Sequence, residues 1–154
     1  MTLPAEGRVN CPQEIPLLTY TVQGIRMGTD ADQIDAMLDL KEAASKGLSV
    51  CYLDDTFRFS ALPAAYRSPR VLTMKGRPGC GVVIDEPDEI VSVSVKDIRP
   101  LPALVASCGS PKVIWGVLIA GESIVLLIDL LKIGQTGAGP IRFNTIDNNN
   151  RRQS

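Results

Sequence analysis

The chain has no histidine. That excludes Ser-His-Asp and Cys-His catalysis, His-ligated zinc and phosphohistidine transfer. It has no C-x-x-C pair either. Its four cysteines, Cys11, Cys51, Cys80 and Cys108, stand far apart, which excludes a zinc knuckle or a thioredoxin-type motif. It lacks an excess of either charge: sixteen Lys and Arg against seventeen Asp and Glu give a formal charge of −1. A nucleic-acid scaffold would carry a basic surplus. The first residues, Met1-Thr2-Leu3-Pro4-Ala5-Glu6-Gly7-Arg8, hold no apolar h-region, so reduced thiols in the cytosol are the expectation. The most apolar stretch, 113–133, is interrupted by Gly121-Glu122-Ser123 and carries Asp129 and Lys132. Its unbroken runs are too short to cross a bilayer, and no direct membrane insertion is expected. No internal repeat is visible.

What is present is the material of one domain. A chain of 154 residues buries about 70% of its unfolded surface without a disulfide or metal. Residues 1–14 read as a loose arm, 15–134 as the domain and 135–154, rich in Gly, Asn and Arg, as a disordered tail. Residues 17–22 are β-branched and aromatic, a strand that Gln23-Gly24 turns into a hairpin partner at Ile25-Arg26-Met27. Thr29-Asp30-Ala31-Asp32 resembles a capping box, and Ile34, Met37 and Leu38 at three- and four-residue spacing predict a helix ending near Gly47. Short strands then follow at 48–53, 57–60, 71–75, 80–85 and 90–95, with turns at Asp54-Asp55, 76–79 and 86–89. In the 90–95 strand Ile90, Val93 and Val95 read as the alternating apolar face. Residues 97–107 read as a crossing loop. A hairpin is expected over 113–120 and 123–129, with a short helix from Leu130. Many short strands with frequent turns indicate a small barrel or a pair of them.

Candidate chemistry is thin. Asp85, Glu86, Asp88 and Glu89 form an acidic group, but a loop this short, broken by Pro87, fixes too few oxygens for a hard cation. It reads as a solvated turn, as do Asp54 and Asp55. Cys51 and Cys80 lie on strands and read as inert thiols; Cys108, in a loop, is the most reactive candidate. Gly76, Gly79 and Gly81 lack the strand-before, helix-after setting of a phosphate loop. Arg58, Arg67 and Arg70 interleave with Phe57, Phe59 and Tyr66, the pattern of an oligonucleotide-binding barrel, against which the overall charge argues. Trp115 lies in an apolar strand and reads as core. No catalytic residue, cofactor or metal site is expected. A non-enzymatic adaptor is the leading reading, with a barrel that binds a small molecule or oligonucleotide as the alternative and a cysteine-dependent enzyme as a further rival.

A family resemblance sharpens this. Gly81-Val82-Val83-Ile84-Asp85 followed by Glu89-Ile90-Val91-Ser92-Val93 resembles the G-x-x-V-D strand and the next strand of the CheW-like domain. Asp97-Ile98-Arg99-Pro100-Leu101-Pro102 is similar to that family's proline-bearing segment. Trp115-Gly116-Val117 and Ile124-Val125-Leu126-Leu127-Ile128-Asp129-Leu130 resemble its last hairpin. Upstream, Tyr20 to Val22, the Gly24 turn, the helix expected over 32–38 and the strand of Val50 to Leu53 resemble its opening. The resemblance spans 17–133. It implies two intertwined five-stranded SH3-like β-barrels with one or two short helices, mainly β. It implies a non-catalytic cytoplasmic adaptor in chemotaxis signal transduction. The implied partners are the regulatory domain of a CheA-like histidine kinase and the cytoplasmic tip of a methyl-accepting chemoreceptor. Two surfaces are expected to meet partners: Val82, Ile84 and the turn Glu86, Asp88, Glu89; and Phe57, Arg58, Phe59. One element of the family is missing. Its G-x-x-x-L-R-G segment, whose arginine is tied to coupling, has no counterpart where Lys41 to Gly47 runs almost directly into the strand at Leu48.

Overall fold

The computed structural model describes residues 13–56, 65–101 and 113–133, and the backbone alone of residues 57 and 144–145. The opening hairpin is as expected. β1 (Glu14–Val22) pairs antiparallel with β2 (Ile25–Asp30). Gln23 and Gly24 both take positive φ, +54° and +77°, as a two-residue turn between twisted strands requires.

The helix expected between Thr29 and Gly47 is mostly not a helix. The Asp30 side chain caps a 3-10 turn at Ala31–Gln33, and β3 (Ile34–Leu38) follows. Ile34, Ala36 and Leu38 are the more buried positions, and Asp35 and Met37 are exposed. An apolar pair four residues apart satisfies a period of two as well as one of 3.6, so Ile34 and Leu38 fit both patterns. Pairing with the later strand β5 decides for the strand. α1 is only Leu40–Ser45. Its N-cap is Asp39, whose carboxylate accepts the Glu42 N–H at 2.7 Å, and Gly47 at φ +67° ends the turn.

β4 (Ser49–Tyr52) leads into α2 (Leu53–Phe57), a short helix where an acidic turn was expected. The strand expected at 57–60 therefore begins in helix, and its remainder lies outside the described residues. β5 (Arg70–Met74), β6 (Arg77–Ile84) and β7 (Pro87–Ser94) follow. After a 3-10 turn at Val95–Asp97 comes β8 (Ile98–Arg99), then the hairpin β9 (Ile114–Ala120) and β10 (Ser123–Ile128), and a 3-10 turn at Leu130–Lys132. In the tail, the backbone of β11 (Asn144–Thr145) pairs with Ser49 and Val50 of β4, so that part is strand where disorder was expected.

The strands form two sheets. The first has the order β7-β1-β2-β10-β9-β8, the second β11-β4-β6-β5-β3. In the first, the end strands β7 and β8 are consecutive in the chain, so the sheet curls into a barrel, with Leu17, Val93, Leu118, Val125 and Leu127 filling its interior. The chain enters the second sheet at β3, completes β3 to β6 there, and returns at β7. The two units are therefore intertwined, and the fold is mainly β and of SH3-like barrel type.

Tyr20, Val22, Met27 and Ile128 of the first sheet pack with Val71, Leu72, Val82 and Ile84 of the second in one continuous core. Val82 and Ile84 were expected to face a partner. Both are fully buried here, on an inner strand of the second sheet flanked by β4 and β5. Ile84→Asp places an unpaired carboxylate in that core, a change costing more than about 4 kcal/mol. Thermal denaturation followed by circular dichroism is expected to show loss of the cooperative transition. A melting temperature near that of the native chain would contradict the placement.

Candidate docking surface

Where β6 gives way to β7 the chain makes a tight corner. Asp85 is buried at its inner side. Its carboxylate accepts the backbone N–H of Arg67 at 3.0 Å and of Ser68 at 2.7 Å, and its carbonyl accepts the Thr21 N–H. The corner is thus tied to β1 and to the segment before β5. Asp85 is a structural anchor, not part of a solvated acidic turn. The next residue, Glu86, sits at φ +41°, a region that costs a side-chain-bearing residue about 1 kcal/mol or more. The buried Asp85 contacts hold that conformation in place.

Beyond Asp85 the corner is exposed. Glu86, Asp88 and Glu89 all face solvent, and so does Ile90, at 61%. Asp88 lies 3.6 Å from Arg26 of β2, a surface pair worth little in stability. The alternation read along this strand holds for Val93 and fails for Ile90 and Val95. Val91 and Val93 turn inward against Leu17, while Ile90 and Val95 point out. Four consecutive residues, Ile90, Val91, Ser92 and Val93, include apolar ones of both parities, so either face was compatible with the sequence. Pairing Leu18 with Ile90 and Leu17 with Val91 fixes the choice.

The other expected surface is not assembled in the described residues. Phe57 closes α2 in backbone, while Arg58 and Phe59 lie outside them. Tyr66, one of its aromatics, is buried. Its hydroxyl donates to Asp54 Oδ1 at 2.7 Å and its ring meets Tyr52 edge-on with centroids 5.2 Å apart. A ring so enclosed offers no face for a base to stack on. Asp54, expected as a solvated turn residue, is the buried partner of that bond.

Trp115 is not core. The β9–β10 register runs from Gly116↔Leu127 to Ile114↔Ile128, so Trp115 is the extra residue of a bulge, and its side chain is 40% exposed.

Among the described residues no group of three or more His, Cys, Asp or Glu side chains is placed to hold a metal ion. No helix there is long and apolar enough to cross a membrane. Cys51 is buried on β4. Burial pushes its thiol up to about 12, Asp55 and Cys80 add to the rise, and Arg77 opposes it. A thiol in that state is no nucleophile at neutral pH. Cys11 and Cys108 lie outside the described residues.

Comparison with known proteins now decides the family. The model of the CheW-like domain matches residues 44–137, well over half of the chain. The chain belongs to the CheW-like domain family. As such it is a non-catalytic scaffolding adaptor of the chemotaxis type, not an enzyme. Among solved structures it is similar to the scaffolding protein TtCheW from Thermoanaerobacter tengcongensis, with 13% identity and a TM-score of 0.63, over 84% of this chain and 99% of that one. At that identity the likeness speaks for the fold alone. No curated protein matches the chain. The family match begins within α1, so the upstream resemblance rests on the hairpin of β1 and β2, not on a helix over 32–38.

The Cys51 environment has a measurable consequence. The folded pKa lies above the unfolded value of about 8.5. Its contribution to stability is therefore complete below pH 8.5 and declines as pH rises toward 12, because only the unfolded chain ionises in that window. Iodoacetamide at pH 8, read by peptide mass mapping, is expected to leave Cys51 unmodified in the native protein and to label it in urea. Rapid labelling of native Cys51 would contradict the placement.

Proposed function

We propose that this CheW-like chain is a cytoplasmic adaptor that docks the regulatory domain of a CheA-type histidine kinase through the corner between β6 and β7, and so couples that kinase to chemoreceptors. The observation that carries the reading is Ile90, 61% exposed and flanked by Glu86, Asp88 and Glu89 on a corner anchored from below by Asp85. An apolar centre with a charged rim on a rigid element is the anatomy of a protein interface. The rim adds steering toward a basic partner surface. Phe57, Arg58 and Phe59 stand as a second candidate contact.

The second partner is the cytoplasmic tip of a methyl-accepting chemoreceptor. Here the chain departs from its family. Lys46 caps α1, Gly47 turns the backbone, and β4 begins at Ser49. This leaves no place for the arginine-bearing segment that usually follows the helix. We infer that any receptor contact uses other residues and that kinase docking is the stronger of the two.

Titration calorimetry against the regulatory domain of a CheA-type kinase and against a receptor cytoplasmic fragment tests this. Kinase binding in the micromolar range is expected. Ile90→Asp should weaken it by about thirtyfold, the loss of one central anchor. Glu86→Lys with Glu89→Lys should weaken it and reverse the salt dependence. All three positions are exposed, so melting should move by no more than about 0.5 kcal/mol equivalent. Kinase binding unchanged in Ile90→Asp would remove the corner from the interface. Binding to neither protein by a folded chain would remove the chemotaxis partners.

A further inference from the structure

The first sheet has a second uncovered apolar area, at the hairpin of β9 and β10. Its outer face is covered by the second barrel over β1, β2 and β10, where Leu18, Met27 and Ile128 are buried and Leu126 is half-buried. The cover ends before the hairpin tip. Ile119 and Ile124, directly opposite each other in the register, are 59% and 60% exposed. Val117, two residues back on the same face, is half-buried. The patch lies on β9 and β10, separated from the Ile90 strand β7 by β1 and β2 in the sheet, and the kinase reading does not use it.

The charges around this pair have a particular symmetry. Arg99 of β8 pairs with Val117, so it borders the patch on one side of the isoleucines. Glu122, at the two-residue tip, borders it on the other. Both are exposed, and neither makes an ion pair with another described residue. Counted along β9, Ile119 and its partner lie midway between Val117 and the tip. A two-fold axis running across the strands through the Ile119–Ile124 pair would exchange the two ends. Each arginine would then face the other copy's glutamate, offset by about one and a half strand spacings, about 7 Å. An extended arginine side chain covers that span. A two-fold contact must be self-complementary, and opposite charges displaced to either side of its axis by similar distances along the strands meet that condition.

We propose that the β9–β10 hairpin face is an isologous interface with a second copy of this chain, centred on Ile119 and Ile124 and closed by reciprocal Arg99–Glu122 pairs. Such a dimer carries two Ile90 corners. It would hold two partner domains in one assembly, with the gain in avidity that linkage brings. A patch this small makes a weak contact, formed at high local concentration.

Sedimentation equilibrium on the full chain, over a series reaching about 1 mM, tests it. The native chain is expected to show a monomer–dimer equilibrium. Arg99→Glu alone or Glu122→Arg alone should weaken it at least tenfold by placing like charges together. The double variant, with the two charges exchanged, should restore it. Ile124→Ser should weaken it as well, with melting unchanged. A chain that stays monomeric throughout the series overturns the proposal. So does a dimer indifferent to the single reversals, or one the double variant fails to restore. Loss of kinase binding in Ile124→Ser, in a monomeric chain, would assign the face to the kinase instead of a second copy.

Discussion

The parallel pairing of β2 with β10 is the constraint from which the rest of the fold follows. It brings residues near the start of the domain beside residues near its end: Met27 beside Leu126 and Thr29 beside Ile128. A 3-10 turn follows each strand, and the two turns are stitched together. Gln33 donates through Nε2 to Asp129 Oδ1 at 3.0 Å, and its Oε1 accepts the Leu130 N–H. On the face so created, Tyr20 and Thr29 share a buried hydroxyl hydrogen bond of 2.7 Å, and the surrounding burial raises the Tyr20 phenol far above its ordinary pKa. The second barrel packs on that face. The first barrel keeps its own interior of Leu17, Val93, Leu118, Val125 and Leu127, while the core of the second is completed by the outer face of the first.

This arrangement explains what the surface can offer. The large aliphatic side chains needed to join the barrels are spent inside. Tyr66, Asp54 and Asp85, which in the sequence look like surface chemistry, are consumed in holding loops to strands. Among the described residues, the large apolar side chains left exposed are Ile90 on β7, Ile119 and Ile124 on the β9–β10 hairpin, and Met37, Val95 and Trp115. Exposed apolar residues carried on rigid strands suit a protein that holds other proteins in fixed positions.

The strands and hairpins were readable because β-branched runs and glycine turns are local signals. Gln23-Gly24 and Gly121-Glu122 mark their hairpins correctly. The family's ordered motifs, from Cys80 onward, were readable too. Three things were not. Ile34 to Leu38 fits helix and strand alike, and a partner strand 37 residues away settles it. The direction of Ile90 depends on the register with β1, which no local pattern encodes. The exposure of Trp115 depends on a bulge, and an apolar strand sequence does not announce one. The candidate site suffered most. Val82 and Ile84 lie in a stretch that resembles a family motif, and in the fold that stretch builds the core.

The central claim is that the β6–β7 corner, not the hairpin face, receives the kinase. Amide chemical-shift mapping of the isotopically labelled chain, titrated with the unlabelled regulatory domain of a CheA-type kinase, tests it residue by residue. The account predicts the largest perturbations at residues 86–91 and at Arg26, with the amides of 117–124 unmoved. Perturbations confined to 117–124, or none at saturating kinase, would contradict it.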